Sequence, residues 1–477
     1  MIGGRNEHPH PMREKVSMQT KHPLLTQDQA GEQTALMKAF WGTVRHYWGN
    51  LGDVFGGVRD PRNPNLITYS MSSLLFTGVL LFVFRLGSRR GVAAKLRGNG
   101  PSQAKFGALF GVENVPHGDT LNYSYQRVEV DEVQEAICRC VDQLIRKKVL
   151  YRYRLLGVYY LVAIDGTGVV TFRERHCEHC LKKTMKNGVT IYYHPVLEAK
   201  LVASNGFAFS MMTEFIENVD LSADKQDCEL KAFYRLARRL KARFPRLPIC
   251  VLLDGLYAGG PTFKLCEAND WKYLIVLRDD DLTNVHRSYA AVLPHLPQNH
   301  KQVSLGKQGQ TIQNYTWAEN LAYTDTQNCK HSLNLIECLE SQPNAHGQID
   351  TVHYKWLTNF TITACNVDHL ANQGARLRWK IENEGFNVQK NSDLNLEHSY
   401  SEDPTARKVF YLLLQLACII FQLMEKGSLL RDAFPNGWSS SKNLAFRLLE
   451  AWRNLIISAA DLLRLAEGKF QIRFDSS

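Results

Sequence analysis

Asp165 closes the apolar run Tyr159-Tyr160-Leu161-Val162-Ala163-Ile164, Asp254 closes Ile249–Leu253, and each is followed by glycine. A carboxylate at the end of a buried strand projects from a rigid element beside backbone that a ligand can approach closely, which suits a metal-bound phosphate. A strand-ending Asp-Gly is more often a simple turn, so the pair gains meaning only with a third acid on a later element. The segment Arg376–Lys390 supplies one. At about 100° per residue, Arg378, Glu382 and Gln389 share one stripe of a helix. Trp379 and Phe386 flank that stripe, and Leu377, Ile381 and Val388 form an apolar face beyond it. A polar stripe between two apolar faces marks a helix lying at a buried polar site rather than on an ordinary surface. Glu384, two residues on, falls about 200° from Glu382 and cannot share its site.

The run Arg378-Trp379-Lys380-Ile381-Glu382 resembles the Tyr-Arg-Glu-Lys signature of DDE transposases from bacterial insertion sequences, and Leu161–Thr167 and Ile249–Ala258 match the surroundings of that family's two aspartates. The separations are 254 − 165 = 89 and 382 − 254 = 128 residues. The long second gap resembles that of members whose RNase H-like core carries a β-rich insertion before the glutamate helix. The resemblance covers roughly Tyr159–Lys390, about half the chain. Two positions depart from the signature: Ala375 stands where the family has tyrosine, and Gln389 where it has lysine, with Lys390 immediately after. The resemblance implies that Asp165, Asp254 and Glu382 hold two Mg²⁺ ions, which Mn²⁺ replaces. It implies further that Arg378 and Lys390 contact DNA phosphates, and that the protein cuts and joins double-stranded DNA at element ends as a homodimer. Related transposases stack an insertion tryptophan on a flipped base, a role for which Trp317 and Trp356 are candidates, although core packing is the commoner fate of such residues. The competing readings are an RNase H-like endonuclease without strand transfer and a DNA-binding derivative whose catalytic centre is unused.

His176-Cys177-Glu178-His179-Cys180 places four potential metal ligands in five residues, and Cys228 and Cys250 offer further thiols. Cys177-x-x-Cys180 permits zinc, but no second pair follows at finger spacing, and a reduced, hydrogen-bonded turn is the plainer reading. Asp227 and Glu229 open a helix, where acids complement its dipole; support of the carboxylate site is the alternative.

The positioning elements follow from periodicity. Residues 1–30 read as a flexible tail and 31–150 as a helical, basic DNA-end-binding domain, with Val133, Ile137, Val141 and Leu144 at helical spacing. Residues 151–281 and 366–400 read as an α/β, RNase H-like mixed-sheet core, 282–365 as a β-rich insertion, and 401–477 as C-terminal helices whose stretch from Ala406 offers dimer contacts. Asp227–Phe244 is an amphipathic helix with a basic, solvated face. Of the net charge of +10 (57 Lys+Arg, 47 Asp+Glu), residues 1–150 contribute 19 − 13 = +6. Arg89, Arg90 and Arg97 belong to a stretch without acids between Asp60 and Glu113, a surface suited to a polyanion. In 477 residues, 44% hydrophobic and 10% aromatic content excludes a disordered chain, and 11 cysteines are too sparse for a disulfide scaffold. The stretch Met71–Phe84 falls short of the roughly 20 residues of a membrane helix. Without a signal-like opening, a cytoplasmic, nucleoid-associated protein with no membrane partner is expected.

Overall fold

The computed structural model describes residues 27–49, 51–98, 100–218, 225–306, 309–344, 346–464 and 471–474. Residues 1–26 of the expected tail lie outside these; residues 27–30 already belong to a helix.

Seven helices open the described chain: α1 (Gln27–Trp48), α2 (Leu51–Phe55), α3 (Met71–Val83), α4 (Arg89–Leu96), α5 (Pro101–Phe110), α6 (Gly118–Tyr125) and α7 (Val130–Arg146). Their boundaries follow local chemistry. Ser70 and Ser88 cap α3 and α4 by accepting from the amides of Ser73 and Gly91, and α5 ends on the left-handed Gly111. α3 is apolar all round and buried, so it is a core helix. α7 buries the face that its spacing predicts, Val133, Ile137, Val141 and Leu144 among it.

The middle of the chain alternates strands and helices: β1 (Tyr160–Phe172), β2 (Leu181–Thr184), β3 (Thr190–Val202), β4 (Ala208–Phe215), α8 (Glu229–Arg243), β5 (Ile249–Leu253), α9 (Gly260–Ala268), β6 (Lys272–Val276), α10 (Thr283–Val292), β7 (His300–Leu305), β8 (Thr311–Thr324), β9 (Lys330–Pro343) and β10 (Ile349–Thr358). They form an α/β body on one mixed ten-stranded sheet in the order β2-β3-β1-β5-β6-β10-β9-β8-β7, with β4 also on β3. β1, β5 and β6 are mutually parallel, and their apolar residues are buried, as befits parallel strands covered on both faces. β1 does not stop at Asp165; it continues to Phe172 because its pairing with β3 persists to Phe172–Tyr192. The expected β-rich insertion begins with a helix, α10. Its strands extend the same sheet through β10 on β6, and the expected loop around Ser341–Asp350 is the end of the β9–β10 hairpin.

After β10 come α11 (Val367–His369), an irregular helical stretch over 370–386, α12 (Asn387–Asn391), α13 (Pro404–Lys426), α14 (Ser428–Ala433) and α15 (Ser441–Asn454). Helices from both ends of the chain share one core. Trp452 of α15 packs edge-on to Phe76 and Phe106, and buried Lys105 donates to the carbonyls of Trp452 and Leu455. α13 is long and apolar enough to cross a membrane, yet 83% of its apolar window is buried within the protein. It is a core helix, so the α13 part of the C-terminal stretch faces this chain's own interior. The basic face of α8 is not merely solvated. Arg235 pairs with Glu214 and Asp227, Arg239 with Glu214 and Asp131, and Arg243 with Glu135.

Candidate functional site

The parallel register of β1 and β5 fixes the two aspartates at one level. Tyr160 faces Ile249 and Ala163 faces Leu252, a constant offset of 252 − 163 = 89. The same offset separates Asp165 from Asp254, so each carboxylate leaves its strand two residues beyond the last paired rung. Asp165 accepts from the amide of Gly166 at 3.0 Å, and Asp254 caps the following turn by accepting from Leu256 at 2.9 Å. Each holds an arginine: Arg378 Nη1 lies 3.3 Å from Asp165 Oδ2, and Arg278 Nη2 lies 3.2 Å from Asp254 Oδ2.

A third carboxylate stands beside them. Glu229, at the first turn of α8, packs against Gly166, where an added Cβ would come within 2.6 Å of Glu229 Oε2. Glycine at 166 is therefore set by this close approach. Tyr257 donates to Glu229 Oε1 at 2.7 Å. Burial, then the charges of Glu229 and Asp254, push the Asp165 carboxyl up to about 6 against the opposing pull of Arg378 and the Gly166 amide. Burial and Asp254 likewise raise Glu229, with Tyr257 opposing. Of the two expectations for Glu229, the one at the carboxylates matches its surroundings.

The Glu382 segment is not the regular helix that the spacing predicts. Leu370–Gly374 is a π turn, Ala375–Trp379 a 3-10 turn and Ile381–Phe386 a second π turn, so the uniform 100° stripe does not hold. Gly385 accounts for part of this: its backbone approaches β3, and an added Cβ would sit 3.3 Å from the Lys200 side chain. The 3-10 turn lies across β1, β5 and β6, and the π turn with Glu382 packs against β1. Glu382 is half-buried. Glu384 points elsewhere, to Lys380 Nζ at 2.8 Å. Gln389 leaves the predicted stripe altogether. It is buried and donates to Gln415, which also accepts from the fully buried Lys200. The signature's lysine position thus serves a buried polar network here. Lys390 is half-buried, 3.2 Å from Glu397.

A cleft of about 880 Å³ opens beside Asp254, walled by Arg278, Arg378 and Trp379 and by the ion pairs Arg376–Glu340 and Lys355–Asp279. Trp379 is 56% exposed, with the Arg378 guanidinium 4.5 Å from its ring. Trp317 is only 3% exposed and packs within the core, which corrects its assignment to base stacking. Trp356 is equally buried and stacks on Tyr354, with part of its surface on the cleft wall. Arg90 on α4 and Arg97 just after it are exposed, whereas Arg89 is half-buried and 3.5 Å from Asp119.

Among the described residues, the group of three His, Cys, Asp or Glu side chains whose ligand atoms converge within 4.8 Å is Cys177, Cys180 and His194. The candidate set is corrected accordingly. His176 turns to the Glu402 carbonyl and His179 to the Asn218 carbonyl, and the third member, His194, comes from β3. Cys228 is exposed, Cys250 is buried in β5, and neither joins the group. All eleven cysteines are free thiols. Burial and Arg407 push His194 down to about 4, so its imidazole is neutral near pH 7.

His194, Arg278 and the exposed Trp379 were not legible as site residues in the sequence. The signal for His194 lay in the hairpin register, which pairs it with Val170 just before the Cys177 loop. No family model matches the chain. No curated protein matches it significantly.

Proposed function

We propose that this protein is a DDE transposase with an RNase H-like core, which cleaves and joins double-stranded DNA at insertion-element ends. The observation that carries this reading is the pair Asp165 and Asp254, held level on adjacent parallel strands beneath the Arg378–Glu382 segment. The order β4-β3-β1-β5-β6, with β1, β5 and β6 parallel and β3 and β4 antiparallel, supports the RNase H-like assignment.

Mg²⁺ or Mn²⁺ suits the hard carboxylate oxygens present, among which burial and neighbouring acids raise Asp165 and Glu229. Asp165, Asp254 and Glu382 would hold it, and when bound it supplies Lewis acidity at the scissile phosphate. The chain's own contribution is positional. Arg378 and Arg278 place positive charge beside the two aspartates, and Tyr257 fixes Glu229. Four cations on the cleft wall, in exchange for their acidic partners, and the exposed Trp379 would meet phosphates and an unstacked base. A homodimer on paired ends is part of the same proposal.

The test is to search the DNA on either side of the reading frame for terminal inverted repeats and to assay strand cleavage and joining on duplex DNA that carries them. Activity should require Mg²⁺ or Mn²⁺ and fall by about 10³-fold or more in Asp165→Asn and Asp254→Asn, with DNA binding retained. Undiminished cleavage by either variant refutes the assignment, and cleavage without joining points to a nuclease.

A further inference from the structure

The structure assigns a second, thiophilic metal site, unrelated to the carboxylates: we propose that Cys177, Cys180 and His194 bind a structural zinc ion that fastens the loop after β1 to β3. The three ligand atoms already face one another. Cys177 Sγ and Cys180 Sγ are 3.5 Å apart and lie 3.3 and 3.2 Å from His194 Nε2. Two thiols and an imidazole are the donor set of zinc rather than of Mg²⁺ or Ca²⁺.

Two buried groups beside the cluster have polar atoms without partners. His194 is 6% exposed and its Nδ1 is buried without a hydrogen bond, with Glu217 Oε1 3.7 Å away. Metal-ligating histidines characteristically present the other ring nitrogen to a carboxylate, and Lys408 holds Glu217 in place at 2.5 Å. Arg407 is also 6% exposed, and both its Nη1 and Nη2 are buried without a partner. Its guanidinium lies within electrostatic range of Cys177, Cys180 and Glu217. A buried guanidinium with idle donors is costly; thiolates on a metal would accept from it, whereas neutral thiols are poor acceptors.

These three side chains leave the fourth tetrahedral position of the ion open to a solvent ligand. His176 beside Cys177 is engaged elsewhere, stacked on Phe172 at 4.3 Å with Nε2 on the Glu402 carbonyl. Such a clip ties the far end of β1, whose middle carries Asp165, to β3 and the start of α13.

The experiment measures metal in the full chain purified from zinc-containing medium without chelators. About one zinc per chain is expected, released by a thiol-directed mercurial. Cys180→Ser and His194→Ala should lose most of it, while Cys365→Ser and Asp165→Asn keep it. Co²⁺ in place of zinc should give thiolate charge-transfer bands and strong tetrahedral d–d absorption. His176→Ala and His179→Ala, whose imidazoles are engaged by the Glu402 and Asn218 carbonyls, should bind zinc as the wild-type chain does. Where a cysteine variant is insoluble, the wild-type chain decides, since stripping its zinc should lower the Tm by several degrees. A wild-type chain that holds no zinc, or whose Cys177 and Cys180 are joined as a disulfide by mass spectrometry, overturns the site.

Discussion

Arg378 reaches across 213 residues of sequence to hold Asp165 at 3.3 Å, and it is the buried cation nearest a carboxyl that burial has already raised to about 6. The guanidinium therefore offsets only part of the cost of ionising Asp165 inside the fold. In the unfolded chain the same carboxyl loses its proton near pH 4. The folded pKa is the higher one, so this group's contribution favours folding below about pH 4 and is lost as pH rises through about 6.

Asp165→Asn should remove that loss. Without added divalent cations, the variant should melt a few degrees above the wild-type chain at pH 7–8, with the gap closing toward pH 4. The stabilisation involved is at most roughly 3 kcal/mol. Thermal melts across this range are the measurement, and parallel curves for the two proteins would contradict the burial of Asp165 among acids.

Glu229 should act as a positioning residue through Asp165. Glu229→Gln removes one of the two charges that raise Asp165, so the acid limb of the cleavage pH profile should move to lower pH. Tyr257→Phe deletes the 2.7 Å bond that holds Glu229 and should reduce the rate less, about tenfold or under, while keeping that charge in place. A purely structural Glu229 would change the Tm and leave the pH profile where it was.

The strands that carry the two aspartates were legible because buried parallel strands write themselves as apolar runs, and the equality between the 89-residue separation and the β1–β5 register is visible once the strands are paired. The Glu382 segment was less legible. Its amphipathic spacing assumes a uniform helix, whereas Gly374, Gly385 and the contact with Lys200 allow π and 3-10 turns that move Gln389 into the interior. His194 and Arg278 come from neighbouring elements rather than from the motifs themselves, and only the pairing of those elements brings them to their partners.

DNA-end binding by the N-terminal helices should depend on Arg90 and Arg97 more than on Arg89, which is already occupied near Asp119. Arg90→Glu with Arg97→Glu should weaken binding to every duplex and flatten the salt dependence by about one unit of slope per lost phosphate contact. Unaltered salt dependence in equilibrium binding would remove α4 from the DNA surface.

The two aromatic positions should separate cleanly. Trp379→Ala should leave the melting temperature nearly unchanged and weaken binding to DNA with an unpaired base by about 1–3 kcal/mol. Trp317→Ala, in the core, should instead cost about 3–5 kcal/mol of stability. If Trp379→Ala bound such DNA as wild type does, the cleft would lose its proposed stacking platform.

The most discriminating prediction concerns Glu382 and Glu384. Lys380 engages Glu384 at 2.8 Å, and the same carboxylate faces the β3–β4 turn, 3.8 Å from where a Gly206 Cβ would lie. That turn needs glycine for its positive φ of 84°, so Glu384 is committed to a local contact away from the aspartates. Glu382 lies on the turn packed against β1, one turn after the Arg378 that grips Asp165. Glu382→Gln removes a charge without opening a cavity, so its effect reports on chemistry rather than on packing. Cleavage should fall by about 10³-fold or more with the fold and DNA binding intact. Glu384→Gln should keep most of the activity and give up at most the roughly 0.5 kcal/mol of a surface i, i+4 pair. Parallel cleavage assays and melts on the two variants check this; activity lost with Glu384→Gln and kept with Glu382→Gln would reverse the assignment of the third acid.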